Sequence, residues 1–228
     1  MTPLVAPHGE LLAIVFDCDG VLVDSEELSC GATADLLVEH GVRMDGAEVR
    51  RRFLGCSIDA VLAHCARLGR PLDAGFAERK DRLYIERARG RLRPMPGAVA
   101  LLEAIEGRIP VAVATSGSPQ KVAFSLAETG LARFFSIVCT SREVPRGKPA
   151  PDLFLLAARR LTLPPARCAA VEDSVPGVLA GVAAGMRTIG HPSSLPRAAL
   201  IDAGAHVICD DLRDILALLP CAPPSPSA

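Results

Sequence analysis

The sequence predicts an α/β protein in which a doubly wound, mostly parallel sheet carries an inserted α-helical cap domain. Unbroken apolar runs that end in polar residues alternate with stretches of helical spacing. One long segment near the N-terminus shows helical spacing but contains no comparable apolar run. Alternation of strands and helices is typical of βαβ units, and the helical segment indicates a second unit inserted into the sheet domain.

The predicted strands are four apolar runs, the first of which covers residues 11–16. This run is continuous rather than alternating, as is typical of a strand covered by helices on both faces. The other runs cover residues 109–114, 168–171 and 187–189. Helices are predicted between them, over residues 98–105, 119–128, 152–161 and 175–184.

Residues 25–92 form the predicted cap, since apolar side chains recur there at helical spacing, as at Ala34, Leu37 and Val38. The cap is expected to cover the carboxyl edge of the sheet, with hinges near residues 24 and 93–94. The catalytic core would then comprise residues 1–24 and 93–219. The Pro/Ser-rich tail, residues 220–228, is predicted to be disordered.

The composition excludes several classes of protein. Half of the residues are hydrophobic, as is typical of a globular protein. The net charge of −1 and the few aromatics, seven Phe and one Tyr, disfavour a nucleic-acid partner. No apolar run approaches membrane-spanning length, and residues 1–10 lack the basic start of a secretory signal. Eight scattered cysteines are typical of reduced thiols. We therefore expect a cytoplasmic protein without a membrane partner. A monomer is also expected, although no pattern in the sequence determines the oligomeric state.

Polar side chains follow the predicted strands, at the edge where an open α/β sheet places its active site. They are Asp17 and Asp19 after the first run, Thr115, Ser116 and Gly117 after the second, and Glu172 and Asp173 after the third. Four converging carboxylates would repel one another unless a cation neutralised them. Hard carboxylate oxygens select Mg²⁺ over softer metals, so Mg²⁺ is the predicted cofactor.

The balance of charge in this group indicates the substrate. Four carboxylates contribute about −4, and Mg²⁺ together with Lys148 restores about +3. A dianionic phosphate fits only if the metal and the lysine contact it directly and one carboxyl carries a proton. The hydroxyl of Thr115 and a helix beginning near Pro119 supply further donors for such an anion.

Four short motifs resemble, in order and context, those of the haloacid dehalogenase superfamily. They are Asp17-Cys18-Asp19-Gly20-Val21, Thr115-Ser116-Gly117, Lys148-Pro149 and Glu172-Asp173-Ser174. The position of the insert resembles the helical-cap subgroup, which includes phosphatases and β-phosphoglucomutase-like enzymes. The resemblance covers nearly the whole core and implies a Rossmann-like fold.

The resemblance also implies roles for the acidic residues. Asp17 would attack phosphorus and become an aspartyl phosphate. Asp19 would give a proton to the leaving oxygen and then activate the water that cleaves the intermediate. Asp17, the backbone carbonyl of Asp19, and Asp173 would bind Mg²⁺, with Glu172 a ligand or its near neighbour.

The remaining motif residues would hold the phosphoryl group. The resemblance assigns this role to Thr115 and Lys148, and Lys148 would also offset the carboxylate charge. Ser116 and Gly117 would bind substrate beside them.

Specificity is expected to come from the cap, from Gly55, Ser57 and Lys80. These positions resemble the substrate loop of sugar phosphomutases of the β-phosphoglucomutase type, which are the first alternative function. Two departures weaken that alternative, because those enzymes carry a histidine at the position of Ser29 and an arginine at that of Ile58.

The predicted function is therefore Mg²⁺-dependent hydrolysis of a small phosphorylated metabolite, such as a sugar phosphate. The presence of Asp19 favours a phosphate ester as the substrate. The dehalogenases and the phosphonate-cleaving enzymes of the superfamily lack this second aspartate. The second alternative is a non-catalytic regulatory protein on the same scaffold. Its signature would be the loss of Asp17, Asp19 or Lys148, and all three are present.

Overall fold

A computed structural model describes residues 10–219. Its centre is a six-stranded sheet in which every pair of neighbours is parallel. The strand order is β3-β2-β1-β4-β5-β6, the doubly wound order of a Rossmann-like fold. This confirms the predicted fold class. The predicted disordered tail lies outside the described residues.

The strands are short, and the central ones are completely buried. They are β1 (Ala13–Phe16), β2 (Val111–Thr115), β3 (Val138–Thr140), β4 (Cys168–Glu172), β5 (Arg187–Gly190) and β6 (Val207–Ile208). Four of them, β1, β2, β4 and β5, agree with the predicted runs to within two residues at every end. The two edge strands β3 and β6 were not predicted, because runs of three and two residues are too short to show an apolar pattern.

Nine α-helices occur in the described part of the chain. They are α1 (Glu26–Glu39), α2 (Gly46–Phe53), α3 (Ile58–Arg67), α4 (Phe76–Ala88), α5 (Ala98–Ile105), α6 (Pro119–Glu128), α7 (Asp152–Arg160), α8 (Val175–Ala183) and α9 (Arg197–Asp202). Short 3₁₀ turns cover Leu131–Phe134, Ser141–Glu143, Pro165–Arg167 and Leu212–Leu218. None of the described helices is long and apolar enough to cross a membrane.

The sheet is covered on both faces, as the continuous apolar runs predict. Alternate side chains of β1 enter different hydrophobic clusters: Ile14 and Phe16 pack with α5 and α6, whereas Ala13 and Val15 pack with α7 and α8. These packed layers fix the carboxyl edge of the sheet, where the polar motifs lie.

Helices α1 to α4 follow β1 and have a hydrophobic cluster of their own. The two connections to the sheet domain run side by side, since Val23 forms a bridge with Pro94 and the amide of Asp24 donates to the carbonyl of Arg93. The hinges were predicted at these positions. The division into a core and a cap of residues 25–92 stays a prediction, which this clustering favours.

Candidate active site

The pairing of β1 with β4 brings the first and last motifs together. Phe16 lies opposite Val171, so the next residues, Asp17 and Glu172, are neighbours at the carboxyl edge. Lys148 reaches this point from the loop before α7. Its ammonium donates to Asp17 Oδ1 at 2.5 Å, to Glu172 Oε1, and to the carbonyl of Ala114 at 2.9 Å. The side chain of Lys148 is only 1% exposed, so these acceptors replace water for a buried cation.

Three buried carboxylates form a group that could hold a metal ion. Oxygen atoms of Asp17, Glu172 and Asp173 lie within 4.8 Å of one another. Burial raises the pKa of Asp17 to about 7, and the charges of Glu172 and Asp19 add to this while Lys148 opposes it. Burial, followed by the charges of Asp17, Glu172 and Glu26, raises the pKa of Asp173 well above its usual range. Ionised carboxylates are therefore costly here, and a cation would remove that cost.

Neighbouring residues hold this group in place. Ser174 donates to Glu172 Oε2 at 3.0 Å, and Ser193 donates to Asp173 Oδ2 at 2.8 Å. Gly20 has a φ of +77°, and a Cβ there would lie 2.0 Å from Asp173 Oδ2. The turn after β1 thus requires glycine both for its backbone conformation and for the close approach of Asp173.

Asp19 lies on the other side of the turn, with a different set of partners. Its Oδ1 accepts hydrogen bonds from Ser25 and, at 2.8 Å, from Lys121. Burial raises the pKa of Asp19, but the Lys121 charge and these hydrogen bonds outweigh burial, and the pKa of Asp19 is lowered. The two aspartates of one motif therefore differ in proton affinity, because their partners differ.

The second motif forms the loop between β2 and α6. Thr115 is buried, and its Oγ1 accepts a hydrogen bond from the amide of Gly117 at 3.0 Å. Ser116 donates across to the carbonyl of Gly55 at 3.0 Å. Ser118 caps α6 by accepting from the amide of Lys121, so the positive end of this helix faces the site.

Two predicted cap residues lie directly over the core motifs. Gly55 has a φ of +75°, and a Cβ there would lie 2.1 Å from Ser174 Oγ. Ser57 is two residues further on and donates to Asp59 at 3.2 Å. The cap therefore approaches the fourth motif closely, at a position without a side chain.

Lys80 of α4 enters the same cavity from the far side. Its ammonium pairs with Asp81 at 2.6 Å, and its side chain is 12% exposed. Burial and the nearby charge of Lys121 lower the pKa of Lys80.

One cavity of about 130 Å³ connects the core motifs with the cap residues. Its lining includes Asp17, Asp19, Thr115, Asp173, Gly55, Ser57 and Lys80. Pockets that hold small organic ligands are usually ~300–1,000 Å³. The cavity therefore has room for a phosphate-sized group.

Besides Ser193, three residues at the acidic groups of the site were not predicted. Ser25 and Lys121 bind the carboxylate of Asp19. Glu26 is buried beside Asp173, and its Oε2 accepts from Ser194 while its Oε1 accepts no hydrogen bond from residues 10–219.

One signal in the sequence could have identified Lys121. Of the 25 basic residues only Lys80, Lys121 and Lys148 are lysines, and all three lie at this site, at most 12% exposed. All other side-chain cations outside the histidines are arginines. A chain that uses arginine everywhere else retains lysine where a compact ammonium is needed.

Comparison with known proteins identifies the same family as the four motifs. Residues 11–185 match the family model of the haloacid dehalogenase-like hydrolases. The chain is 34% identical to 6-phosphogluconate phosphatase of Escherichia coli (strain K12), over 76% of this chain and 79% of that protein. It is also 34% identical to Protein SUPPRESSOR OF QUENCHING 1, chloroplastic, of Arabidopsis thaliana, over 91% of this chain but only 20% of that protein, so it corresponds to a fifth of that larger relative.

The fold agrees with a solved structure. CbbY from Rhodobacter sphaeroides, determined in complex with xylulose-(1,5)bisphosphate, superposes with a TM-score of 0.82 and 28% identity, covering 92% of this chain and 100% of that chain. The motifs, the strand order and these matches coincide over the same residues. The chain therefore belongs to the haloacid dehalogenase-like hydrolases.

Proposed function

We propose that this protein is a Mg²⁺-dependent phosphatase that hydrolyses a small phosphorylated metabolite through an aspartyl phosphate on Asp17. The observation that carries the proposal is the contrast between two aspartates two residues apart. Asp17 belongs to the buried carboxylate group with Lys148, and Asp19 lies against Ser25 and Lys121. One carboxylate is thus available as nucleophile and the other as acid and base.

In the first half-reaction, a carboxylate oxygen of Asp17 forms a bond to phosphorus, and the ester oxygen of the substrate leaves. Asp19 gives that oxygen a proton, so an alcohol departs. Lys148 is placed to balance negative charge on the phosphoryl group, while Thr115 and the amides of the loop before α6 offer hydrogen bonds to its oxygens. In the second half-reaction, Asp19 takes a proton from water, which attacks phosphorus and releases inorganic phosphate from Asp17.

The residues present suit a hard divalent cation. Asp17 and Asp173 are buried carboxylates with raised pKa values, and the backbone carbonyl of Asp19 is in the same turn. Both oxygens of Glu172 already accept hydrogen bonds, from Lys148 and Ser174, so we expect Glu172 to support the site rather than to bind the metal directly. When bound, Mg²⁺ would supply positive charge to the phosphoryl oxygens.

The substrate class follows from the cavity wall and from the relatives. Ser29, Ser57, Ser118 and Lys80 also line the cavity. Such a lining suits a polar, hydroxylated leaving group, such as a sugar or sugar acid, and one relative is named for such a phosphate. We further propose a monomer in a reducing cytoplasm, which the seven free thiols of the described cysteines favour.

A phosphomutase is the second candidate, and two residues argue against it. At the position of the mutase histidine, Ser29 presents only a hydroxyl, 3.3 Å from the ammonium of Lys121. At the position of the mutase arginine, Ile58 begins α3 and cannot pair with a second phosphate. The non-catalytic alternative is disfavoured because Asp17, Asp19 and Lys148 are assembled with one another rather than dispersed.

The test is phosphate release from a panel of metabolite phosphates, including hexose, hexitol and sugar-acid phosphates. The purified protein should release phosphate with Mg²⁺, and excess chelator should abolish the release. The variant Asp17→Asn, purified in parallel, controls for contaminating phosphatases. Metal-independent turnover, or equal turnover by this variant, would reject the proposal.

A further inference from the structure

The carboxylate of Asp19 is held at one oxygen from two parts of the protein. Oδ1 accepts from Lys121 of α6 at 2.8 Å and from Ser25, the residue before the first cap helix. Two donors at one oxygen fix the plane of the carboxylate. A group that must transfer a proton within a small distance tolerance benefits from such fixation.

The other oxygen, Oδ2, faces the phosphoryl loop. It lies 3.7 Å from the position that a Cβ of Gly117 would occupy, and Thr115 Oγ1 lies 3.3 Å from the same point. Oδ2 accepts no hydrogen bond from the residues that the structure describes. The two oxygens of Asp19 are therefore unequal, since Oδ1 accepts two hydrogen bonds and Oδ2 faces the loop of Thr115 and Gly117.

Lys121 is itself held rigidly. Its side chain is 6% exposed, and its ammonium lies 4.7 Å from the centre of the Tyr84 ring and 3.3 Å from Ser29 Oγ. The hydroxyl of Tyr84 bonds Ser125, one turn further along α6, at 2.9 Å. The helix that begins directly after the phosphoryl loop thus also carries the cation that binds Asp19.

We propose that Lys121 is a positioning residue for Asp19, which holds Oδ1 so that Oδ2 is the atom that gives and takes the proton. The proton passes from Oδ2 to the departing ester oxygen as Asp17 forms its bond to phosphorus. In the second half-reaction, Oδ2 regains a proton from the attacking water. This role deepens the proposed phosphatase function and rests on it.

The test compares two substrates with different need for the acid. Lys121→Met keeps the length of the side chain and removes the ammonium. For a hexitol phosphate, whose alkoxide must be protonated, kcat/KM should fall about 30- to 100-fold through kcat. For nitrophenyl phosphate, whose leaving group needs no proton, kcat/KM should change by less than about threefold, with a burst of nitrophenolate because the later water step is slowed.

Two variants exclude a merely structural effect. Lys80→Met removes the ammonium of the lysine on α4, whose partner is Asp81. This variant should raise KM for the hexitol phosphate. Ser25→Ala removes the second donor to Oδ1 without removing a cap bond of α1, since Ser25 makes none. It should shift the ratio of the two kcat/KM values in the same direction as Lys121→Met, so the inference stays testable even if Lys121→Met folds poorly.

The outcomes distinguish a failure of the proposed function from a failure of the role of Lys121. A wild-type protein that releases no phosphate from the panel overturns the proposed function. An active wild type whose Lys121→Met variant loses kcat/KM equally for both substrates, or for neither, overturns the role of Lys121 alone.

Discussion

Lys148 Nζ lies 2.5 Å from Asp17 Oδ1 and 2.9 Å from the carbonyl of Ala114, at the end of the neighbouring strand β2. One ammonium thus ties the proposed nucleophile to the sheet on one side and to Glu172 on the other. This arrangement stabilises the buried carboxylates only in part, because a single positive charge faces three negative ones.

Asp17→Asn should abolish turnover. The amide has the same volume but cannot attack phosphorus, so we expect a loss of about 10³-fold or more in kcat. Phosphate release with the preferred panel substrate measures the loss, and circular dichroism checks that the fold is intact. Activity within about tenfold of the parent would contradict the nucleophile assignment.

The same variant should be more stable than the parent in chelator at alkaline pH. The folded-state pKa of Asp17 is about 7, above its ordinary value of 3.8, so the native protein holds a proton that the unfolded chain releases. The stability that this proton contributes is complete below about pH 4 and is lost as the pH rises through 7. Asn keeps the neutral form at every pH.

The expected gain in the free energy of unfolding is on the order of 2 to 4 kcal/mol at pH 8, with little gain below about pH 4. Thermal unfolding at several pH values, in chelator, measures it. A difference in Tm that is constant with pH would show that Asp17 does not titrate as inferred. Added Mg²⁺ should reduce the difference, because the parent would bind the ion better.

Asp19→Ala should distinguish substrates by their leaving groups. Loss of general acid catalysis costs about 10²- to 10⁴-fold for an alkyl phosphate, whereas a nitrophenolate leaves without a proton. The measurement is kcat/KM for both substrates, which reports the first half-reaction. Equal losses would assign Asp19 a structural or metal-binding role instead.

Lys80→Ala should raise KM for the metabolite and spare nitrophenyl phosphate. Lys80 lies on the cap side of the cavity and is paired with Asp81, away from Asp17. We expect KM to rise about tenfold, as for the loss of one charged contact. Lys80→Met, which keeps the apolar stem, separates the charge from the packing. A fall in kcat for every substrate would instead indicate an effect on the phosphoryl group or on folding.

Water, rather than a second substrate hydroxyl, should accept the phosphoryl group. A mutase must protect its aspartyl phosphate until an intermediate reorients, and the residues that assist this are replaced by Ser29 and Ile58. Incubation with β-glucose 1-phosphate and a trace of the 1,6-bisphosphate decides the matter. Glucose 6-phosphate that forms faster than phosphate is released from any panel member would overturn the hydrolase assignment.

The sequence predicted the elements whose signal is local. Continuous apolar runs identified four strands, and polar residues at their ends identified the motif residues that the structure brings together at one edge. The two edge strands, Val138–Thr140 and Val207–Ile208, were not predicted from the sequence. They are strands because each pairs with a neighbouring strand, and so short a segment shows no apolar pattern of its own.

Partners that are far apart in the sequence could not be predicted in the same way. Lys121 occupies the first turns of an amphipathic helix, where a lysine is usually solvated, and Glu26 begins α1, where an acidic residue is ordinary. Each becomes part of the site only through contacts between distant parts of the chain. Such a contact joins residues about 100 positions apart, as for Lys121 and Asp19.

The distribution of lysines has a practical consequence for chemical labelling. Because Lys80, Lys121 and Lys148 all lie at the site and are at most 12% exposed, the outer surface offers amine reagents no lysine side chain. Reductive methylation of the native protein should therefore reach side-chain amines only when the site opens. The rate at which intact mass rises beyond the increment of the terminal amine would thus count openings of the enzyme, without any introduced probe.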